Sequence, residues 1–437
     1  MSVGAVHVVG AGIAGLSAAV RLVGAGREVI VHEAASFAGG RCRSYLDPTL
    51  GLVIDNGNHL LLSGNHEALD YLDRIGALKT LHDPGAAVFD FADLKSGERW
   101  RLDLSEGRIP WWLFDRKKRV PGAALHEYLA PLGVFLKGRS ATVGQAMACE
   151  GPLYERLWRP LLTSALNTDP RESSAALTAA LLRETLAAGG RACHPLFAAH
   201  GLAKSFIDPA VAFLAARGSP VRFGDRLRAI RFEGKRAVAL DFDRSEQELG
   251  LDDSVILSAP PWIAKDLLPE LMAPDEFRAI LNVHFHVAPP PGQPAILGVV
   301  NAEIEWLFAF PDRLSVTISN ADRLIDRPRE MLAAEIWREA ALLTGLGSDL
   351  PPWQIVKEKR ATFAATPAQN AKRPDARTQW TNLVLAGDWV QNGLPATIEG
   401  AVRSGYEAAS ILLGLDADAP RSPGQSQRRE RATSLST

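Results

Sequence analysis

One stretch near the start limits the folds open to this chain more than any other. An apolar run, Ala5-Val6-His7-Val8-Val9, passes directly into Gly10-Ala11-Gly12-Ile13-Ala14-Gly15, which opens a second apolar run through Leu22. A strand, a GxGxxG turn and a helix in that order begin a nucleotide-binding βαβ unit. Gly10 permits the tight turn, Gly12 lets the backbone approach a pyrophosphate, and Gly15 lets the helix lie against the strand. Ile13 and Ala14 start the helix, whose free N–H groups and positive dipole end suit an anion. A second strand over 28–32 ends at Glu33, followed by Ala34. A carboxylate about 20 residues past the glycines accepts hydrogen bonds from ribose hydroxyls and repels a 2′-phosphate.

Ala38-Gly39-Gly40-Arg41 comes next, and it is not part of the plain nicotinamide fingerprint. It resembles the flavoprotein family that contains amine oxidases and phytoene desaturases. The resemblance implies FAD, with Gly39, Gly40 and Arg41 at its pyrophosphate, where a guanidinium fork matches phosphate geometry.

On turn chemistry alone, 51–62 reads as a hairpin carrying a surface histidine. However, Asp55-Asn56-Gly57-Asn58-His59 followed by three leucines resembles the squalene-associated branch of these flavoproteins, the hydroxysqualene dehydroxylases of hopanoid synthesis. In that branch the loop faces the flavin, which would place Asn56, Gly57 and Asn58 at the cofactor.

Near the other end, an apolar strand over 382–386 leads to Gly387-Asp388-Trp389, and Leu394-Pro395-Ala396-Thr397-Ile398-Glu399-Gly400-Ala401 begins a helix. This closely resembles the family's second FAD signature. It implies Gly387 and Asp388 at the ribityl chain or a phosphate-linked hydroxyl, and Pro395, Ala396, Thr397 and Ile398 beside the flavin ring. By the same resemblance the backbone at Val221 touches adenine.

The fold class expected is α/β: a discontinuous Rossmann-like FAD-binding domain plus a mixed sheet-and-helix substrate domain, the amine-oxidase-like, glutathione-reductase-like two-domain flavoprotein. The FAD domain is assigned to 1–72, 200–260 and 378–415, and the substrate domain with a helical cap to 73–199 and 261–377. The polar tail, 416–437, is expected to be disordered. Thr142 and Ser173-Ser174 are placed to cap helices of that cap, and the apolar 198–217 helix to close it.

With 437 residues, the chain has room for two or three domains, and its net charge of −2 argues against a general nucleic-acid binder. Cys42, Cys149 and Cys193 lack metal-ligand spacing, so no metal and no disulfide framework is expected. No signal peptide is expected ahead of the first strand, and no apolar run reaches about 18 residues. A cytoplasmic protein is expected, with contact at the inner face of the membrane left open. That opening comes from 109–137, where Ile109-Pro110-Trp111-Trp112-Leu113-Phe114 precedes Arg116-Lys117-Lys118-Arg119 and a run of leucines. Aromatics beside cations suit a bilayer interface, and equally a core edge beside a solvated turn.

The resemblance implies reductive removal of the allylic hydroxyl of hydroxysqualene, a hydrophobic isoprenoid, to give squalene. Leu394 agrees, since amine oxidases carry an aromatic residue there as one wall of a cage for the amine. Hydroxide leaves poorly, so a general acid is needed. His59 is the first candidate, with Asp55 orienting it or helping it keep its proton, and Glu399 is the second. His59 and Asp55 can instead serve only to fix the loop. The chain carries no second GxGxxG unit for a nicotinamide, so the electron donor is external. Two other readings stay open: an oxidative polyprenyl desaturase, and a non-enzymatic prenyl carrier similar to the Rab escort proteins.

Overall fold

The computed structural model describes residues 4–415, so the tail expected to be disordered lies outside the described residues. The first of two large sheets is five-stranded and parallel, in the order Val221–Phe223, Val29–Glu33, Val6–Val9, Ser254–Leu257, Leu383–Leu385. Its strands come from three distant parts of the chain, so this sheet closes only when the C-terminal signature has returned to the N-terminal one.

Alternate residues of these strands face opposite sides, as the period of two requires. Val6, Val8, Val31, Ile256 and Val384 meet the helices Ile13–Gly24, Asp208–Ala215 and Ile398–Leu412. Val9, Val255, Leu257 and Leu385 face the other way, in one cluster with Ala237, Leu240 and Phe242 of an antiparallel meander, Leu227–Glu233, Arg236–Phe242 and Glu246–Glu248. The first and last helices cross at Gly405, where a Cβ would stand 2.2 Å from both the Ala14 carbonyl oxygen and Ser17 Oγ. Only glycine permits that approach.

The second sheet has seven strands, ordered Trp353–Phe363, Phe277–Phe285, Arg313–Ile318, Trp306–Phe310, Ile296–Val300, Val88–Asp93, Arg99–Asp103. Every neighbouring pair is antiparallel except Ile296–Val300 beside Val88–Asp93. Helix Arg329–Thr344 covers one face through Leu332, Ile336 and Trp337. Short helices between 132 and 184 build the cap. Thr142 Oγ1 accepts from the Gln145 N–H, and Ser174 Oγ from the Leu177 N–H, so both caps act at the positions the sequence marks.

Two local expectations change. Leu52–Asp55 pairs backwards with Ser44–Asp47, whereas Leu61–Leu62 pairs with Pro195–Ala198, so 51–62 is not one hairpin. The Asp-Asn-Gly turn instead passes the chain between two small sheets. The 198–217 segment does not close the cap: Leu202, Phe206, Ala210 and Leu214 are buried in the cluster of the parallel sheet. Apolar helical spacing reveals that a helix is buried, not against which sheet.

Candidate active site

The glycine turns form a cradle. Gly10 has φ +108°, and a Cβ on Gly15 would stand 1.9 Å from the Gly10 carbonyl oxygen, so this helix meets its turn at glycine distance. A Cβ on Gly12 would meet nothing within 4 Å, because that position opens on the cavity. Gly39, at φ +107°, donates its N–H to the Ala11 carbonyl at 2.8 Å and brings Gly40, at φ +57°, against Gly12. Glu33 accepts from the Ala11 and Ala35 N–H groups, both at 2.8 Å, which fixes its carboxylate at the strand end.

The two signatures meet at one ion pair. Arg41 donates to Asp388 Oδ1 at 2.6 Å and to the Ala361 carbonyl at 2.7 Å. Arg373, which carries no motif, is buried behind them and donates to the carbonyls of Asp388, Val390 and Leu394 at 3.0, 2.7 and 2.7 Å. Its guanidinium holds the whole turn between strand and helix, and burial lowers its pKa to about 10.

The Asn56–His59 loop is docked on the seven-stranded sheet. Asn58 Nδ2 donates to Ser315 Oγ at 2.8 Å and Thr317 Oγ1 at 2.9 Å, Asn282 Nδ2 donates to the Asn56 carbonyl at 3.3 Å, and His284 Nε2 donates to the Asp55 carbonyl at 3.0 Å. Burial, with Arg313 nearby, holds His284 down to about 4, so it is neutral. Ser315 Oγ is 2.8 Å from its Nδ1.

His59 lines the cavity, with Nδ1 2.9 Å from the Gly57 carbonyl oxygen. A carbonyl only accepts, so Nδ1 carries the hydrogen. Burial lowers the pKa of this imidazole, which leaves Nε2 a lone pair at neutral pH. The expected pairing with Asp55 does not form. The Asp55 carboxylate takes the Ser44 hydroxyl at 2.5 Å and the Leu202 N–H at 2.9 Å, and is thereby committed to anchoring the loop.

Glu399 has the opposite electrostatics. It is 2% exposed, lines the same cavity, and accepts from the N–H groups of Glu67 and Ala68 at 3.2 and 2.8 Å, at the start of helix His66–Arg74. Arg403 reaches Glu399 at 3.2 Å, Glu184 at 2.7 Å and Glu67 at 3.6 Å, so three carboxylates surround one guanidinium. Burial and the neighbouring Glu67 push the Glu399 carboxyl up to about 8.

One cavity of about 900 Å³ runs from the cradle past the loop into a chamber walled by Trp158, Leu161, Leu162, Leu182, Trp306 and Phe308. Gly10, Gly12, Ile13, Ala14, Glu33, Ala34, Gly39, Gly40, Arg41, Asn56 to His59, Gly387, Asp388 and Ala396 to Ile398 all line it. Four expected residues do not. Gly15 and Pro395 lie behind the wall, Asp55 is turned away as described, and Val221 pairs with Val31 in the sheet. The wall beside Glu33 runs through Asp225, Arg226 and Leu227 instead, because the chain turns inward just after strand Val221–Phe223. Sequence reading missed Arg373, Asn282, His284, Ser315 and Thr317, which are ordinary strand and loop residues until the fold brings them together.

The groups present fit FAD: an open glycine pair at a helix N-terminus, a carboxylate fixed at the end of the second strand and a second acid at the far signature. Residues 13–413 match the family described as flavin containing amine oxidoreductase. The chain is 58% identical to the hydroxysqualene dehydroxylase of Rhodopseudomonas palustris, with 93% of this chain and 98% of that one covered. It is 52% identical to the hydroxysqualene dehydroxylase of Sinorhizobium fredii, with the same shares covered, 93% and 98%. A 15-cis-phytoene desaturase of an Oncidium hybrid is more distant, 23% identical over 93% of this chain and 77% of its own. Among solved structures, cyclohexylamine oxidase from Brevibacterium oxydans superposes with a TM-score of 0.66 at 16% identity, covering 94% of this chain and 99% of its own, a likeness of fold alone.

Proposed function

Because this chain belongs to the flavin containing amine oxidoreductase family and, within it, to the hydroxysqualene dehydroxylases, we infer that it is an FAD-dependent oxidoreductase that reductively removes the allylic hydroxyl of hydroxysqualene to give squalene. The observation that carries this reading is the continuity of the cradle with an apolar chamber, bordered by Leu394. FAD, when bound and reduced, would supply the hydride that replaces the allylic hydroxyl, which with one added proton would leave as water.

The remaining work falls to the protein. Apolar walls hold the isoprenoid and keep water from the cation that forms as the C–O bond breaks. His59, neutral with a free Nε2 lone pair, accepts from the substrate O–H and orients it. Glu399 holds the proton that the oxygen needs, and its conjugate base is met by Arg403 and two backbone N–H groups at a helix N-terminus. The acid is then Glu399, the second candidate from sequence, and His59, the first candidate, orients the substrate instead. Glu33 and Asp388 would hold cofactor hydroxyls, and Arg41 a phosphate. A separate reductant, protein or diffusing, completes the cycle, and a substrate this insoluble is drawn from a lipid phase.

The test is anaerobic. Protein reduced with dithionite is mixed with detergent-dispersed hydroxysqualene while flavin absorbance and extracted lipid are followed together. Reoxidation with an equivalent of squalene is expected; flavin that stays reduced beside intact substrate refutes the reading.

A further inference from the structure

Resting on the isoprenoid reading above, we propose that the outer face of residues 108–139 is a docking surface for an anionic lipid bilayer, set against the substrate chamber. Ile109, Trp111, Phe114, Leu129, Leu132 and Leu136 all point outward, with Trp111 63%, Phe114 67% and Leu136 85% exposed. Scattered apolar side chains on a surface are ordinary, but six within one short segment are not.

The segment is ordered from its inner side. Trp112 donates its backbone N–H to Ser105 Oγ at 3.0 Å and lies edge-on to Tyr128 at 5.5 Å, while the Val120 N–H donates to Tyr128 Oη at 2.9 Å. Those contacts bring the Trp111–Phe114 and Leu125–Leu129 turns side by side and spend the inward residues. The outward half therefore has no partner within the described residues.

Charge identifies what covers it. Arg108, Arg116, Lys117, Lys137 and Arg139 are exposed, and none makes an ion pair among the described residues. The same stretch carries only two acids, Asp115 and Glu127, which accept from the Lys117 and Ala124 N–H groups, so its cations are in excess. Apolar rings and leucines flanked by unpaired cations match the boundary between acyl chains and anionic headgroups.

The surface is also bonded to the chamber. The Gly190 and Arg191 N–H groups donate to the Ser105 and Glu106 carbonyls at 2.9 and 3.0 Å, and Leu186 and Cys193, on either side of that turn, line the cavity. Phe135 lies 5.7 Å under the Arg183 guanidinium, on the helix whose Leu181 and Leu182 line it as well. These contacts tie the docking face to the elements that wall the chamber, so the protein would sit on the lipid phase that holds its substrate.

The FAD-loaded protein is sedimented with vesicles of phosphatidylcholine alone and with added phosphatidylglycerol, beside a Trp111→Ser, Phe114→Ser, Leu136→Ser triple variant. Co-sedimentation is expected with the anionic vesicles, weakened by salt, and reduced roughly tenfold or more in the variant. The variant should keep its flavin and its turnover of detergent-dispersed hydroxysqualene but lose turnover of vesicle-borne substrate. Protein that stays in solution with every vesicle, or a variant that binds like the parent, overturns the proposal. Binding to native membranes but not to pure lipid overturns it in favour of a protein partner. Vesicle binding without any turnover in detergent leaves the docking surface standing and removes the dehydroxylase reading.

Discussion

Replacing Glu399 by Gln separates its chemical role from its structural one. A glutamine keeps the shape and one acceptor, so it still serves either the Glu67 or the Ala68 N–H, but its amide then faces the other N–H or Arg403. One buried hydrogen bond is lost at a cost of about 1–3 kcal/mol, while Arg403 retains both bonds to Glu184. That lowers the melting midpoint without unfolding the protein. The rate effect should be larger. Loss of a general acid removes roughly 10²–10⁴ in rate, about 3–5 kcal/mol of barrier. The assay is single-turnover reoxidation of dithionite-reduced protein by hydroxysqualene in anaerobic stopped flow. The pH dependence gives the sign. A carboxyl raised to about 8 stays protonated through neutrality, so the parent rate is flat below that value and falls as pH rises through it. The variant should be slow at every pH and lack that limb. A variant within tenfold of the parent, still showing the alkaline fall, refutes Glu399 as the acid.

Three further outcomes follow from the same geometry. His59→Ala should leave flavin content unchanged and reduce turnover about tenfold through loss of one substrate hydrogen bond, and because burial lowers the imidazole's pKa, loss of parent activity from its protonation appears only below the ordinary histidine range. Gly405→Ala places a methyl 2.2 Å from backbone and hydroxyl oxygens of the first helix, so the two helices must part; purified protein should be colourless or lose flavin on dilution. Arg373→Met leaves the Asp388, Val390 and Leu394 carbonyls without their buried donor, about 1–3 kcal/mol each at most, and thermal unfolding with flavin release should both shift sharply downward.

What the sequence reveals is what local backbone chemistry requires. Gly10, Gly12 and Gly15 are needed by a single turn and the helix after it, so their spacing carries their purpose. The anchorage of the Asn56–His59 loop was illegible for the opposite reason. Its partners Asn282, Ser315 and Thr317 lie more than 220 residues later on strands where polar residues carry no motif, and only sheet register turns them toward the loop. Of the two roles open to Asp55 from sequence, the loop-fixing one holds and the pairing with His59 does not, because the end of strand Leu52–Asp55 turns the carboxylate to Ser44 and Leu202. The 109–137 stretch could not be divided between core and surface by composition, since its inward and outward aromatics, Trp112 and Trp111, are neighbours.

The charges around the chamber bear on how a poor leaving group departs there. Arg41 is balanced by Asp388, His59 is neutral, and Glu399 shares its surroundings with Glu67, Glu184 and Arg403. Each cation among these groups has a carboxylate partner, so positive charge that develops beside them meets the His59 lone pair, the Glu184 carboxylate and the rings of Trp158 and Phe308. The same arrangement disfavours an amine substrate: the Asp388 and Glu184 carboxylates are taken by Arg41 and Arg403, and the wall at Leu394 is aliphatic. Polarity that serves a transient carbocation is thus arranged differently from polarity that would hold a permanent cation, and this chain carries the first arrangement on the fold it shares with amine oxidases.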